Sequence, residues 1–242
     1  KKTFNRWSKI KFFSKLIFGM ITIAYPQNFE TKYFLKKIKT KKINRIGNLK
    51  FAENPEENFS IKNKKLKSEL NKNKIWVASS THRNEEIFCA NAHKELKKKN
   101  KNLITIIIPR HVHRANEIAL EMKKINLNVV YHSSKIKTLK NIDIYIVDTF
   151  GETKLFHKIS STVFLGGSVI KRGGQNPLEA ARLGSKIIHG PNTDNFKDVY
   201  KHLKLLNISK KINTPSQLAS SIVFKKNKNS GKKIKQIGKK IL

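Results

Sequence analysis

The sequence predicts an α/β protein in which a parallel sheet is flanked by helices. Short β-branched runs alternate with longer amphipathic stretches along the chain, a pattern typical of βα units and a parallel sheet. The runs are apolar without alternation, as in LITIII at Leu103–Ile108, and such strands are buried on both faces. At 242 residues, the chain is long enough for one large α/β domain, or for one domain with part of another.

The candidate strands share a short apolar or β-branched core, and they are Ile75–Ser79, Leu103–Ile108, Val129–His132, Ile144–Val147, Thr162–Leu165 and Lys186–His189. Two of the intervening segments have a clear helical period. Glu85–Lys98 and Arg114–Lys124 repeat apolar residues at the three- and four-residue spacing of an amphipathic helix.

The two ends of the chain are less regular. Ile21–Tyr25 is a candidate strand and Asn28–Lys37 a candidate helix, while Asn44–Lys50 fits a strand or a linker. Glu53–Asn73 is polar and has no clear period, so we predict a surface connection with one weak helix. In Lys225–Leu242 the isoleucines are spaced for one apolar stripe, which predicts a C-terminal helix.

The chain is strongly basic, with 52 Lys and Arg against 16 Asp and Glu and a net charge of +36. Such a charge is consistent with nucleic acid, an anionic membrane or an acidic ligand as partner. Lys and Asn are scattered through every segment, which a drift towards AT-rich codons also produces. The basic runs lack the interleaved aromatic residues of single-strand binding platforms, which disfavours nucleic acid. For a membrane, the candidate contacts are Lys9–Lys15, Lys36–Lys42 and the Lys-rich tail.

The single cysteine, Cys89, excludes an internal disulfide bond and a Cys-rich metal cluster, and it fits a reducing compartment. Cys89 lies in a predicted helix, where a buried inert thiol is favoured over a nucleophile. The most apolar early window, Ile17–Tyr25, is far shorter than the ~20 residues of a spanning helix. The sequence therefore predicts neither a transmembrane segment nor a signal peptide in this portion.

The stretch Val163–Gly190 is the most informative about function. A predicted strand runs into GGS at Gly166–Ser168, and Gly173 and Gly174 then precede a helix that is predicted to begin at Asn176. Glycine lets a backbone approach a ligand closely, and a helix N-terminus attracts phosphate. Because ligands of open α/β sheets bind at the carboxyl ends of strands, this segment is a candidate phosphate site.

The same segment also fits an ordinary helix start. Asn176, Pro177 and Glu179 match the N-cap, N1 and N3 positions of a capping box, and Gly184 is suited to end the helix. In this interpretation the Glu179 side chain bonds only to the N–H of Asn176.

These motifs resemble those of the Kdo (3-deoxy-D-manno-octulosonic acid) transferases. The family pattern GGS…GGHNPLEPA…GP…NF is matched here by GGS, GGQNPLEAA and GP-x₃-NF. Further blocks match upstream in the family's order, and they are GNLKF at Gly47–Phe51, SSTHRNEE at Ser79–Glu86, PRH at Pro109–His111 and D-T-x-G-E at Asp148–Glu152. The sequence departs from the family at Gln175, which replaces its usual His, at Ala180, which replaces Pro, and at Asn84, which replaces Gly.

The resemblance implies a two-domain GT-B glycosyltransferase, in which a C-terminal Rossmann-like domain binds the nucleotide donor and an N-terminal domain binds the acceptor. It implies CMP-Kdo as donor and a lipid A precursor as acceptor, in lipopolysaccharide biosynthesis at the cytoplasmic face of the inner membrane of a Gram-negative bacterium. Residues 1–45 are then a remnant of the acceptor domain, 46–225 the donor-binding domain and 226–242 a Lys-rich C-terminal helix. The family's catalytic glutamate has no counterpart here, so we expect this chain alone to be inactive.

The resemblance also implies the donor-site residues. Glu179 takes the place of the carboxylate that holds the ribose hydroxyls in related GT-B enzymes. The residues expected in the donor site are Lys50, Thr81, His82, Arg110, His111, Gly167, Ser168, Gly173, Gly174, Asn176, Glu179 and Asn195. Ordinary roles remain open for Thr81 as a helix cap, and for Arg110 and Lys50 as solvated cations.

We expect no metal and no cofactor at this site. His82 and His111 have no third ligand at a spacing suited to zinc. CMP leaves as a phosphate monoester without pyrophosphate, so a Mg²⁺ clamp is less necessary, and an Asp-x-Asp motif is absent. Fixed N–H donors and cations are suited to stabilise the leaving phosphate.

Two other functions remain open at this stage. The first is another GT-B enzyme, such as a UDP-sugar transferase or epimerase, which would bind a uridine nucleotide instead of CMP. The second is a basic nucleic-acid-binding module, whose affinity would fall steeply with salt and show no preference for CMP. The sequence has no recognised helix-turn-helix or RNA-binding motif that supports the second.

Overall fold

The structure is a computed structural model, and it describes residues 2–26, 29–44, 64–134, 138–227, 229–230 and 233–234. The chain divides into two compact units, of which one comprises Lys1–Asn54 with Ile234–Leu242 and the other Pro55–Lys233. Nearly all of the predicted strand or linker at Asn44–Lys50, and most of the predicted tail helix at Lys225–Leu242, lie outside the described residues.

The described part of the first unit is helical, with α1 at Lys2–Lys9, α2 at Lys11–Gly19 and α3 at Phe29–Lys37. Phe4 stacks on Phe34 with the ring centroids 4.2 Å apart, which joins α1 to α3. The helix predicted at Asn28–Lys37 is thus confirmed. The strand predicted at Ile21–Tyr25 is reduced to one parallel bridge between Ala24 and Ile43.

The second unit contains a sheet and its flanking helices. The strands are β1 at Lys74–Thr81, β2 at Leu103–Pro109, β3 at Val129–Tyr131, β4 at Ile144–Ile146, β5 at Thr162–Leu165, β6 at Lys186–His189 and β7 at Ser209–Lys211. The helices are α4 at Lys64–Asn71, α5 at Glu85–Lys97, α6 at Ala115–Lys124, α7 at Thr153–Ile159, α8 at Leu178–Arg182, α9 at Lys197–Leu205 and α10 at Pro215–Ser221. None of the helices in the described ranges is long and apolar enough to cross a membrane.

The strands form one seven-stranded sheet in the order β3-β4-β2-β1-β5-β6-β7. Every neighbouring pair is parallel, so the predicted α/β fold with a parallel sheet is confirmed. The six strands predicted between Ile75 and His189 all appear, with small differences at their ends. The edge strand β7 was not predicted, because its sequence SKK has no apolar run and its two lysines are exposed.

The core lies around the central strands. Every residue of β2 is buried, and Trp76 of β1 is fully buried. The helices predicted at Glu85–Lys98 and Arg114–Lys124 are confirmed as α5 and α6, and both contribute apolar side chains to this core. Cys89 of α5 is part of it, and burial raises the pKa of its thiol, so the predicted inert, buried thiol is confirmed.

Candidate functional site

The strand order defines one point where the chain changes direction across the sheet. From β1 the chain proceeds to β2 and the strands beyond it, then returns to place β5 on the other side of β1. Ligands of open parallel sheets bind at the carboxyl ends of strands at such a point. The segments that follow β1, β2 and β5 are those of the SSTHRNEE, PRH and GGS motifs, so the fold brings these motifs to one edge.

A buried carboxylate ties the loop after β1 to the loop after β5. Glu85, the first residue of α5, is fully buried. Its Oε2 accepts from the N–H groups of Gly167 at 2.6 Å and His82 at 3.1 Å, and its Oε1 accepts from those of Ser168 at 3.0 Å and Val169 at 2.9 Å. Two predicted site residues, Gly167 and Ser168, therefore direct their N–H groups towards the protein's own carboxylate and shape the loop.

Basic side chains cluster at the same edge, and this basic cluster consists of His82, Arg110, His111 and Arg172. The rings of His82 and His111 lie edge to face with their centroids 6.1 Å apart. Burial lowers the pKa of His82, and the charges of Arg172, His111 and Arg110 act in the same direction. His82 is therefore neutral near pH 7. Its Nε2 is buried and has no hydrogen-bond partner within the described residues.

Thr81, another predicted site residue, is fully buried at the end of β1. Behind it, Arg114 Nη1 donates to Oε1 of the buried Glu86 at 2.8 Å. Burial raises the pKa of Glu86, while Arg114 opposes that rise. The Thr81 hydroxyl is buried and has no hydrogen-bond partner within the described residues.

Close contacts between loops explain several motif positions. A Cβ built on Gly166 would lie 2.3 Å from Ser80 O, and one on Gly190 would lie 2.3 Å from Ser168 O, so any larger residue would force the loops apart.

Asn84 has a left-handed backbone with φ of 76°. Glycine adopts this conformation freely, and Asn does so more readily than most residues, which fits the family's usual glycine there.

The predicted site residues Gly173, Gly174 and Asn195 form one packed unit. Both glycines have positive φ, at +83° and +74°, and a Cβ on Gly173 would lie 2.6 Å from Asn195 Nδ2. The Asn195 N–H donates to Gly173 O at 3.0 Å, and its Nδ2 donates to Arg172 O at 3.2 Å. The double glycine therefore lets the GP-x₃-NF loop lie directly against the loop that precedes α8.

Glu179 has a partner that the sequence did not indicate. The helix α8 begins at Leu178 with Pro177 as its N-cap, and Asn176 Oδ1 accepts from the Leu178 N–H at 3.2 Å. Glu179 Oε1 lies 3.1 Å from Nδ1 of His157, a residue of α7. The helix thus begins at Leu178 rather than at Asn176, but the predicted capping role of Asn176 is confirmed, because its side chain accepts from the Leu178 N–H. Glu179, the other half of the predicted capping box, has His157 as its partner.

The Glu179 carboxylate is ionised and partly open to solvent, with 38% of its side chain exposed. Burial alone raises its pKa, but the hydrogen bond from His157 and the charges of His157, Lys154 and Arg182 outweigh that effect. The pKa of Glu179 therefore lies below its ordinary value. An ionised carboxylate has two accepting oxygens, so it can bind neighbouring hydroxyl groups of a ligand.

Sequence reasoning missed Glu85, Arg172 and His157 at this edge. Glu85 lies inside a quoted motif at a helix start, and Arg172 directly precedes the double glycine, so both had a local signal. His157 lies within α7 outside any motif, and only its tertiary contacts reveal it. Lys50, also predicted, lies outside the described residues. Within the described part of the chain, no group of three or more His, Cys, Asp or Glu side chains is placed to hold a metal ion.

Comparison with known proteins finds relatives of this chain. No protein-family model matches the chain. It is 31% identical over 202 residues to the 3-deoxy-D-manno-octulosonic acid transferase of Haemophilus influenzae, covering 82% of this chain and 47% of that protein. It is 30% identical over 239 residues to the transferase of the same name from Rickettsia bellii, covering 97% of this chain and 56% of that protein.

A solved structure has the same fold. The C-terminal CMP-Kdo binding domain of WaaA from Acinetobacter baumannii matches with a TM-score of 0.58 and 23% identity, over 71% of this chain and 90% of that domain. The predicted Rossmann-like fold, a parallel sheet flanked by helices, is thus confirmed. The chain spans about half the length of the curated relatives it matches. By this sequence similarity, the chain is a homologue of about half of the length of the 3-deoxy-D-manno-octulosonic acid transferases.

Proposed function

We propose that the chain supplies the donor site of an enzyme that transfers Kdo from CMP-Kdo to a lipid A precursor in lipopolysaccharide biosynthesis. The observation that carries this proposal is the ionised, partly exposed Glu179 carboxylate in the GGQNPLEAA motif, placed to accept from the ribose hydroxyls. The names of the sequence relatives support the reaction, and the solved CMP-Kdo binding domain supports the donor.

The basic cluster is suited to the other half of the donor. Loss of CMP from the anomeric carbon passes through an oxocarbenium-like state, in which negative charge grows on the departing phosphate. Arg110 and Arg172 provide positive charge for that phosphate and for the carboxylate of the sugar. The base that activates the acceptor hydroxyl belongs, in this proposal, to the acceptor domain.

We also propose that the protein binds the cytoplasmic face of the inner membrane of a Gram-negative bacterium, where it would meet its lipid acceptor. Exposed apolar side chains of α2 support this, since Phe12 is 82% and Phe13 54% exposed. Lys11 and Lys15 lie on the same short helix. A helix with exposed apolar residues and lysines is suited to the interface of an anionic bilayer.

The test of the donor site is calorimetric titration of the chain with CMP, before and after the substitution Glu179→Gln. The loss of a charged acceptor for ribose hydroxyls should weaken CMP binding by about 1.5–3 kcal/mol. The fold should lose under about 1 kcal/mol, because the Gln carbonyl can still accept from His157. The control is Glu117→Gln, whose carboxylate is 35% exposed, similar to that of Glu179; it should leave CMP affinity unchanged.

Equal affinity of the wild type and Glu179→Gln for CMP would contradict the ribose role. A parallel titration with UMP and UDP separates the rivals, since tighter binding of a uridine nucleotide than of CMP would favour a UDP-sugar enzyme. Binding that lacks a preference for CMP and disappears as salt rises would favour the nucleic-acid module.

A further inference from the structure

A buried histidine connects three elements of the sheet's carboxyl edge. His157 of α7 is 4% exposed. Its Nδ1 lies 3.1 Å from Oε1 of Glu179 in α8, and its Nε2 lies 3.0 Å from Oγ of Ser79 in β1. Both ring nitrogens are therefore used, and the ring is held from two opposite sides.

The charge state of Glu179 fixes the direction of the first of these hydrogen bonds. An ionised carboxylate can only accept, so Nδ1 of His157 carries a proton and donates to Glu179. At the other side of the ring, Nε2 is hydrogen-bonded to the Ser79 hydroxyl, which can either donate or accept. The three side chains form one chain of hydrogen bonds that begins at Ser79 and ends at Glu179.

This arrangement differs in its use from the Ser-His-carboxylate triad of hydrolases, in which the serine attacks the substrate. Ser79 is 1% exposed and lies within β1, so a substrate cannot reach its hydroxyl. The end of the chain that a ligand can reach is Glu179, with 38% of its side chain exposed. Because only the Glu179 end of this hydrogen-bonded chain is exposed, the carboxylate is the group that can bind a ligand.

We propose that His157 is a positioning residue, which holds the Glu179 carboxylate in the orientation that accepts from the 2′- and 3′-hydroxyls of the nucleotide. The inference rests on the proposed function. A glutamate side chain has several rotatable bonds, and fixing them before the ligand arrives reduces the entropy that binding must lose. Ser79 completes the support, because its hydroxyl fixes the ring that holds the carboxylate.

The test compares CMP with 2′,3′-dideoxy-CMP, which lacks both hydroxyls, in calorimetric titrations of the chain and of two matched variants. In His157→Asn the amide nitrogen takes the place of Nδ1 and keeps a donor for Glu179. In His157→Gln the amide nitrogen takes the place of Nε2 and faces Ser79. We expect the wild type and His157→Asn to bind CMP about 100-fold more tightly than dideoxy-CMP. In His157→Gln this preference should fall below about fivefold, while the affinity for dideoxy-CMP stays unchanged.

A control for buried-histidine replacement is His93→Gln. His93 is also fully buried, and its Nδ1 lies 2.8 Å from Thr105 Oγ1, but it contacts no residue of the proposed site. This variant should lower the melting temperature and keep the preference for CMP. Ser79→Ala should reduce the preference for CMP by less than His157→Gln does. It provides a second measurement if His157→Gln folds poorly.

Equal weakening of both ligands by His157→Gln would show a purely structural role and overturn the inference. The same holds if His157→Gln keeps the full preference, or if His157→Asn loses as much of it. A wild-type chain that binds both ligands equally would overturn the ribose role of Glu179, and the inference with it. A wild-type chain that binds neither ligand would instead contradict the proposed function itself.

Discussion

At the residue scale, Glu85 has the most consequential set of contacts. One carboxylate accepts four backbone N–H groups, from His82, Gly167, Ser168 and Val169. Glu85→Gln replaces one oxygen by an NH₂ group that faces N–H donors. We expect the free energy of unfolding to fall by about 2–4 kcal/mol, because buried donors lose their acceptor. Urea unfolding monitored by circular dichroism measures the change.

The matched control is Glu95→Gln on the same helix. Its carboxylate is exposed and accepts from Ser216 Oγ at 2.7 Å, so the change should stay within about 0.5 kcal/mol. A similarly small effect of Glu85→Gln would mean that the two loops hold their geometry without the carboxylate.

Single residues also mark where sequence reasoning reaches its limit. Glu179 was singled out in the sequence as a carboxylate of interest, and its spacing from Asn176 suggested a local cap, whereas the structure gives it His157 as a partner. The choice depends on how α7 packs against α8, and no local pattern encodes that packing. The glycine motifs were visible in the sequence, but only the three-dimensional contacts distinguish a loop-packing role from a ligand contact.

At the element scale, Asp143 fastens the start of β4 to α5. Its Oδ1 lies 3.0 Å from Lys97 Nζ and 3.4 Å from His93 Nε2, and its Oδ2 accepts from the Asn128 N–H at 3.0 Å. Burial would raise the pKa of Asp143, but these hydrogen bonds and the charge of Lys97 outweigh it and hold the pKa well below its ordinary value.

Asp143→Asn should therefore destabilise the fold by about 1–3 kcal/mol at pH 7. The effect has a defined pH dependence. Since the folded-state pKa is depressed, the unfolded state takes up the proton first as the pH falls, and the stabilisation is lost below the unfolded pKa of about 4. The difference between wild type and Asp143→Asn in urea unfolding should shrink from pH 7 to pH 3. A difference that is independent of pH would contradict the ionic origin, and Asp194→Asn, at an exposed aspartate, serves as the control.

The elements themselves were largely predictable, for a physical reason. Strands of a parallel sheet are covered on both faces, so their sequences are continuous apolar runs that stand out from the amphipathic helices. β7 was not predicted because an edge strand does not need a continuous apolar run. An edge strand pairs on one side only, and exposed lysines are compatible with that position. Ile21–Tyr25 had a suitable composition for a strand, but pairing, which a single sequence does not specify, is limited there to one bridge.

At the scale of the whole molecule, the excess of positive charge is the open question. If the charge serves a membrane, the chain should sediment with anionic vesicles, bind neutral ones weakly and be released by salt, since each Lys near the surface contributes about 1 kcal/mol. Phe12→Ser should reduce this binding, because Phe12 is exposed next to lysines of α2. Leu120→Ser, at an exposed apolar residue of α6, should leave it unchanged.

Vesicle co-sedimentation at two salt concentrations tests whether the positive charge serves membrane binding. Equal partitioning to neutral and anionic vesicles, or none to either, would remove the membrane role from this chain and leave codon drift as the explanation of its charge. If Phe12→Ser and Leu120→Ser change vesicle binding equally, the apolar side chains of α2 have no specific part in it, and the binding is due to charge alone.

The position of β1 in the middle of the sheet has a consequence for how the protein folds. β1 pairs on one side with β2, the next strand in the chain, but its partner on the other side is β5, and β2, β3 and β4 all lie between the two in sequence. Val77 of β1 is thus paired with Val163 of β5. Contacts of such long sequence separation slow folding. Until β5 arrives, one apolar edge of β1 lies open to wrong partners during synthesis. The GGS loop follows β5 directly, so the edge that carries the candidate site forms only when this long-range pairing is made.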